Sequence, residues 1–440
     1  MSRRINQSRR RFLQQSTAAA ATGVGAPLLL PGHVLGLDGA VGPNDQIGMA
    51  GVGVGRRGGG VFNSACSKKE TRAVAVADVF EKTAQRMASR TKCDAYTDYR
   101  KLLERKDVDA ITTATPDHWR ALVTIHACQA GKDVYAEKPL TLTILEGRRM
   151  VQAARKHGRI VQTGSQQRSM AANRFGCELV RNGKIGRIKE VRGANYPSPW
   201  TFTFEAQPVP EGLDWDVWCG PVVVQPYHPD LCGPRRNPGW ISHRLFSGGE
   251  VTGWGAHGID QIQWALGKDD TGPTEIWTEG EPFEEPHFTE PHGRGAGEGK
   301  TRQPIVHFRY ADGTPVVMDG GNPGGGLFLG EDGKIEIFRN RIGTNPGELK
   351  DEKIADDEIH LEVSGDHMQN WIDCIKSREL PIADVETGHR SATVCHLINI
   401  ARWTGRRLKW DPQKEQFIGD EDANQYLDVE RRKGYELPAV

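Results

Sequence analysis

The sequence predicts an α/β chain, with a doubly wound parallel sheet of Rossmann type first and an α+β part dominated by strands after it. Three observations predict it. From Gln46 onward, short apolar runs alternate with helical patterns, the mark of βαβ units. The run Ile47-Gly48-Met49-Ala50-Gly51-Val52 breaks into Gly53-Val54-Gly55-Arg56-Arg57-Gly58, a G-x-G-x-x-G pattern where a strand turns into a helix. Beyond residue 170, the stretches Ile188 to Tyr196, Ile305 to Tyr310, Pro315 to Met318 and Lys334 to Phe338 are rich in β-branched and aromatic residues. Gly, Asp-Gly or Pro bounds each of them.

The glycines carry the first functional inference. A tight turn, close approach of a phosphate to backbone N–H groups, and close packing of helix on strand each exclude a Cβ. Gly53, Gly55 and Gly58 fill those three positions, whereas a frame starting at Gly51 fails at Arg56. A plain glycine-rich loop would satisfy the pattern alone, so context decides. A second apolar strand, Ala73 to Ala77, ends in Asp78, twenty residues after Gly58. A dinucleotide fold keeps its ribose-binding carboxylate at about that place. No Lys or Arg follows Asp78 until Lys82, which favours the free 2′-hydroxyl of NAD over the 2′-phosphate of NADP.

Further along, a helix is expected at about 80 to 90, a short strand at Ala95-Tyr96 and a helix from Asp98 to Glu104. The fourth strand, Asp109 to Ala114, stops at Thr115-Pro116-Asp117-His118. His118 opens the next helix at the carboxyl edge of the sheet, where it either faces a ligand or merely neighbours the N-cap. That helix ends at Gly131, and a fifth strand, Asp133 to Ala136, runs into Glu137-Lys138-Pro139. Ala311 to Thr314 and Glu331 to Lys334 have hairpin-turn composition. Glu279 to Lys300, acidic and rich in Gly and Pro, reads as a mobile surface loop. Pro197 to Pro238 is proline-rich and carries Trp200, Trp215, Trp218 and Tyr227. These rings suit either a wall of a carbohydrate pocket or packing beneath a loop.

Composition narrows the class. A chain of 440 residues, 37% apolar and 26% charged, has the makings of a soluble protein of two or three domains. Lys plus Arg and Asp plus Glu both total 57, so there is no overall field to attract nucleic acid or a membrane surface. The eight cysteines contain no C-x-x-C pair and read as scattered thiols, with only Cys219 and Cys232 near enough in sequence for a local disulfide. His228-Pro229-Asp230-Leu231-Cys232 brings three metal donors together without a second cluster, so no metal is expected. At the start, Ser8-Arg9-Arg10-Arg11-Phe12-Leu13-Gln14 precedes a weakly apolar run, Ser16 to Leu30, and looks like a twin-arginine export signal. Residues 1–43 are therefore set aside as signal and linker, with the mature start between Ala26 and Asn44. The run is too short and too rich in Ala and Gly to span a membrane. The expected location is the periplasm, or outside the cytoplasm by the same route.

Glu137-Lys138-Pro139, one helix and one strand after Ala114-Thr115-Pro116, resembles the glucose-fructose oxidoreductase, inositol dehydrogenase and rhizopine catabolism (Gfo/Idh/MocA) family. So do Thr163-Gly164-Ser165-Gln166-Gln167-Arg168, Leu213 to Trp218, Gly248 to Asp260, Asn370 to Cys374 and Leu408 to Pro412, in that order. The resemblance runs from about Asn44 to the end. It implies a Rossmann domain over 44–168 and, over 169–440, an α+β domain on a large, mostly antiparallel open sheet, with the active cleft between them. It implies cofactor contacts from Gly53, Val54, Gly55, Arg56, Arg57, Gly58, Asp78, Thr115, Pro116, His118, Glu137, Lys138 and Gln166. Lys138 matches the lysine that lies beside the nicotinamide and the substrate hydroxyl, and His257 the histidine suited to proton transfer near neutrality. Substrate contacts are expected from Lys138, Trp215, Trp218, His257 and Asp260, and a homo-oligomer, dimer or tetramer, is expected.

One departure stands out. Family members often carry an aspartate four residues before the histidine, and that position is Gly253. Without the carboxylate the imidazole loses an orienting partner. Asp260, three residues after His257, either substitutes or forms an ordinary helix salt bridge. The expected function is an exported NAD-dependent oxidoreductase on a hydroxyl or ketone of a sugar, glycoside or cyclitol. Free NAD is scarce outside the cytoplasm, so the cofactor is expected to be held between turnovers. The alternatives are a redox-neutral enzyme that cleaves glycosides through a transient ketone, and a non-catalytic nucleotide-binding protein.

Overall fold

Six strands, all paired in parallel, form the first sheet: β1 (Ile47–Val52), β2 (Thr71–Ala77), β3 (Asp94–Tyr96), β4 (Ala110–Thr113), β5 (Asp133–Ala136) and β6 (Val161–Thr163). Their order, β3-β2-β1-β4-β5-β6, is that of a doubly wound dinucleotide fold, with its switch point between β1 and β4. This computed structural model describes residues 46–233, 239–291, 303–320 and 323–440, so the expected export signal lies outside the described residues. β1 is buried along its whole length, β4 and β5 likewise, which is why these strands read as apolar runs without alternation. Between them run α1 (Arg56–Cys66), α2 (Glu81–Thr91), α3 (Tyr99–Leu103) and α4 (Asp117–Gln129), close to their expected places, and α5 (Ile144–Lys156), which was not foreseen. A Thr143/Glu146 capping box starts α5.

After α6 (Ala171–Arg181) comes β7 (Ile188–Gly193), the first strand of a nine-stranded sheet. The other eight are β9 (Glu275–Glu279), β11 (Ile305–Arg309), β12 (Pro315–Met318), β13 (Gly326–Gly330), β14 (Lys334–Phe338), β15 (Arg341–Asn345), β16 (Leu408–Asp411) and β17 (Gln416–Phe417). Every pairing is antiparallel except that of β7 with β12. The hairpins expected at 311–314 and 331–334 join β11 to β12 and β13 to β14. β9, β13, β15, β16 and β17 were not foreseen: in β9, Glu-Ile-Trp-Thr-Glu starts and ends on charge, and in β13, Gly-Leu-Phe-Leu-Gly is framed by glycine, so each depends on its neighbours for pairing.

The segment between β7 and β9 forms a lobe with its own core of Trp200, Phe202, Trp215, Trp218 and Phe246. It holds β8 (Thr201–Phe202), α7 (Trp215–Cys219), α8 (Pro229–Cys232), α9 (Gly249–Gly253) and α10 (Gly255–Leu266). β8 pairs with β10 (His287–Phe288), so part of the expected surface loop is a strand; residues 292–302 lie outside the described residues. α11 (His367–Ser377) and α12 (Val385–Thr404) follow β15. α6, α10 and α12 bury the inner face of the large sheet, whereas α11 sends Met368, Trp371 and Ile372 into a core shared with Met49 and Phe62 of the first domain. All eight cysteines are thiols, including Cys219 and Cys232. Among the described residues no helix is long and apolar enough to cross a membrane.

Candidate active site

β1 delivers the chain to the glycine turn, where each glycine has a distinct steric reason. Gly53 has a φ of +71°, and a Cβ there would lie 2.9 Å from Thr115 Cγ2. A Cβ on Gly58 would lie 1.8 Å from Gly53 O, so α1 can sit this close to β1 only on glycine. Around Gly55 nothing comes within 4 Å of a Cβ position, and no side chain caps the helix it begins. That open, N–H-rich face is what a pyrophosphate needs. The cradle therefore fits a dinucleotide.

A cavity of about 330 Å³ extends from this turn. Of the residues expected to contact the cofactor, Gly53, Gly55, Arg56, Arg57, Gly58, Asp78, Thr115 and Pro116 line it and Val54 is buried beside them, whereas Glu137, Lys138 and Gln166 lie outside its lining. Asp78 Oδ1 accepts the Phe80 N–H at 3.0 Å, and burial pushes its carboxyl up to about 6. Phe80, Tyr99 and Trp119 supply ring surfaces that the sequence did not single out. Arg100 also lines the cavity, but its Nε is held by Asp98 at 2.9 and 3.1 Å.

The lobe roofs this cavity with Leu213, Val217, Trp218 and Trp240. Backbone bonds fasten it just beyond Asp78: Glu81 N–H donates to Gly212 O at 2.8 Å and Asp214 N–H to Val79 O at 3.0 Å. Trp119 Nε1 donates to Val217 O at 2.9 Å. His118, expected on the cofactor, is instead buried under the roof, its Nε2 3.0 Å from Trp218 O and its ring against Phe246. Burial pushes its pKa down to about 4, so it is a neutral packing group at neutral pH. Trp215 stacks behind Trp218 at 4.5 Å and spends its indole N–H on Gln225 O, so of the two tryptophans Trp218 faces the cavity.

The other end of the cleft is assembled from side chains. β5 leads into Glu137, only 2% exposed, whose Oε1 accepts Arg57 Nε at 2.8 Å and Gln166 Nε2 at 3.0 Å. The glycine turn is thereby tied to the neighbour of Lys138. Lys138 Nζ donates to Gly253 O at 2.9 Å, which joins the first domain to the end of α9. His257 lies in the first turn of α10, 5% exposed, with its ring 5.8 Å from that of Trp254. Lys138 and His257 thus approach the same α9–α10 junction. Behind Lys138, the buried Arg120 donates to both Thr115 O and Pro139 O, and Asp117 accepts Arg120 at 3.2 Å and Ser247 Oγ at 2.7 Å. This cluster escaped the sequence reading because Asp117 and Ser247 are 130 residues apart.

Asp260 takes the second of its two anticipated roles. Its carboxylate accepts Arg168 Nη2 at 2.9 Å and Ser391 Oγ at 2.9 Å and is 2% exposed, a buried ion pair between the two domains. Both of its oxygens accept from Arg168 Nε at 3.0 Å, so the carboxylate expected to touch substrate is instead buried in an ion pair.

Comparison with known proteins agrees with this geometry. Residues 46–165 match the oxidoreductase family, NAD-binding Rossmann fold, and residues 184–437 match the oxidoreductase family, C-terminal alpha/beta domain. The chain belongs to the Gfo/Idh/MocA oxidoreductase family. Within that family, it is 32% identical over 146 residues to dTDP-3,4-didehydro-2,6-dideoxy-alpha-D-glucose 3-reductase of Saccharopolyspora spinosa, covering 33% of this chain and 41% of that one. It is 31% identical over 142 residues to 2,7-anhydro-N-acetylneuraminate hydratase of Mediterraneibacter gnavus, covering 32% and 37%. It is 32% identical over 126 residues to inositol 2-dehydrogenase of Salmonella typhimurium, covering 28% and 38%. The chain therefore spans about two fifths of the length of these relatives. Similar folds include the WlbA dehydrogenase of Bordetella pertussis in complex with NADH and UDP-GlcNAcA, at 18% identity and a TM-score of 0.57, covering 83% of this chain and 99% of that one. Aldose-aldose oxidoreductase of Caulobacter crescentus, complexed with glycerol, has 17% identity and a TM-score of 0.57 with the same coverage.

Proposed function

We propose that this protein is an NAD-dependent oxidoreductase acting on a hydroxyl or ketone of a sugar, glycoside or cyclitol, exported with its cofactor held in place. The observation that carries the reading is the roofed cavity: a glycine turn open at Gly55, a carboxylate at Asp78, and a lobe hydrogen-bonded across the exit at 79–81. Asp78 favours a ribose diol, and Arg100 is already engaged by Asp98, which supports NAD over NADP. When bound, the nicotinamide exchanges hydride with the carbon that bears the hydroxyl. The chain supplies the rest. Lys138, whose Nζ donates to Gly253 O at 2.9 Å, would take the hydroxyl proton as a neutral amine in oxidation and return it as an ammonium to the carbonyl oxygen in reduction, and His257 would serve as a second proton carrier. The deciding experiment is the mass of the nucleotide released on denaturing protein purified without added cofactor. NAD supports the reading; NADP, or no nucleotide, overturns it.

A redox-neutral glycoside-cleaving reaction is the second reading, favoured by the likeness to an anhydro-sugar hydratase and by the roof, since a cofactor that ends each turnover as it began need never leave. Turnover without accumulation of NADH and without a second sugar would select it. Export rests on Ser8-Arg9-Arg10-Arg11-Phe12-Leu13, and Arg9→Lys with Arg10→Lys should strand the precursor in the cytoplasm. A homo-oligomer is supported by the outer face of the large sheet, where Trp277, Val317 and Leu327 are only half-buried; light scattering at a single monomer mass would refute it.

A further inference from the structure

The roof over the dinucleotide cavity has a second fastening, at the far end of the sequence. Arg432 Nε donates to Gly220 O at 2.7 Å, its Nη1 to Asp216 Oδ1 at 2.7 Å and its Nη2 to Asp216 O at 2.9 Å. Its backbone N–H donates to Pro221 O at 2.8 Å. One guanidinium therefore grips both ends of α7, the short helix that carries Val217 and Trp218 over the cavity. The next residues tie this grip to the first domain. Arg432 lies over the Tyr435 ring, that ring meets Trp119 edge-on at 5.5 Å, and Leu437 and Val440 pack on the Rossmann core. Trp119 itself lines the cavity and lies so close to Gly220 that a Cβ there would stand 2.3 Å from its ring.

None of these tail groups reaches the cavity lining, so they contribute nothing to nucleotide contact. They act on the element that closes over it. The grip is also breakable: Asp216 is 64% exposed and the Arg432 side chain 23%, so water competes for the pair, unlike the buried Arg168–Asp260 pair elsewhere between the domains.

We infer that Arg432 and the tail behind it form a strap that sets how fast the dinucleotide enters and leaves, by pinning α7 as the roof of its cavity. Arg432 is a positioning residue. The inference rests on reading the cavity as a dinucleotide site, and the two can fail separately.

Stopped-flow fluorescence of the full-length protein, freed of any bound nucleotide, tests it, with NADH as probe: association by energy transfer from tryptophan, dissociation by displacement with excess NAD. Arg432→Ala should speed association and dissociation together by about tenfold, the scale of losing a charge-assisted hydrogen bond, while Kd changes less than about threefold. Arg432→Lys should fall between, because an ammonium can hold Asp216 but cannot span to Gly220 O as well. If Arg432→Ala does not fold, Asp216→Ala, at an exposed position, breaks the same pair from the other side and should speed both rates. Unchanged rates in these variants overturn the strap. So does faster dissociation alone with a matching rise in Kd, which would mean that the tail only supports the pocket wall. Absence of NADH binding by wild-type protein that has been freed of bound nucleotide, refolded and shown to be folded would overturn the dinucleotide reading itself, and the strap with it.

Discussion

At the dinucleotide end of the cleft the decisive features belong to the backbone: a positive φ at Gly53, an open face at Gly55 and a contact at Gly58 that excludes a Cβ. At the Lys138 end they belong to side chains drawn from distant segments, with Lys138 on Gly253 O, Glu137 on Arg57 and Gln166, and Asp117 on Ser247. The first end is made within one βα unit and needs little from the second domain beyond a roof. At the second end the Glu137 contacts lie within the first domain, but Lys138 on Gly253 O and Asp117 on Ser247 exist only when the domains meet. The contrast teaches that nucleotide binding and turnover should fail independently, because no single element positions both.

The strongest way to break that comparison is Lys138→Ala. Turnover of a sugar or cyclitol substrate should fall by about 100-fold or more, the scale of losing a positioned acid or base, while NADH binding by fluorescence stays nearly unchanged. His257→Ala should cost less, because Gly253 stands where family members often carry an aspartate four residues before the histidine. If Lys138→Ala also abolishes NADH binding, the two ends are not separable.

A glycine pair sharpens the other side. Gly58→Ala must move α1 away from Gly53 O, costing about 1–3 kcal/mol of stability, and should lower both Tm and NADH affinity. Gly55→Ala meets no protein atom, so Tm of the nucleotide-free protein should hold while affinity falls by about tenfold, since the methyl occupies the space a phosphate needs. Equal Tm losses in the two variants would contradict the steric assignment.

Asp78 gives a pH test with a definite sign. Its carboxyl is pushed up to about 6 by burial, and the ionised form is the better acceptor for ribose hydroxyls. Calorimetric affinity for NAD should be flat above about pH 7 and weaken below about pH 6 by up to about tenfold per pH unit, and Asp78→Asn should remove the dependence. For the nucleotide-free protein the direction is reversed. A folded-state value above the ordinary ~3.9 means that the native state holds this proton more tightly, so the contribution to stability declines as pH rises from about 4 to 6.

The smallest expected effect is that of Gly253→Asp. It restores a carboxylate one turn before His257 and beside the carbonyl that holds Lys138, so the pH-rate profile should shift upward, by about one unit at most. An unchanged profile in a folded, active variant would remove His257 from the proposed proton transfer.

Much of the nucleotide end was legible in the sequence because its determinants are local. Glycine spacing, a strand ending in Asp78, and Pro116 stopping β4 are each set by a few neighbouring residues and by sterics that no distant contact alters. The hairpin turns of the large sheet were legible for the same reason. The lobe's aromatic residues were not, since a tryptophan in a proline-rich stretch can serve a core or a ligand equally well. Tertiary packing put Trp215 in the core and Trp218 over the cavity, and it buried His118 under the roof. It also gave Asp260 to Arg168, because a carboxylate leaving water for the domain interface needs a cation close by more than a histidine three residues back needs an acceptor. The sequence alone thus determined the strand-turn-helix that binds by backbone shape, whose energetics close over about ten residues. Only the tertiary structure decided which charged and aromatic side chains serve chemistry and which serve burial, because desolvation and pairing depend on partners as much as 130 residues away.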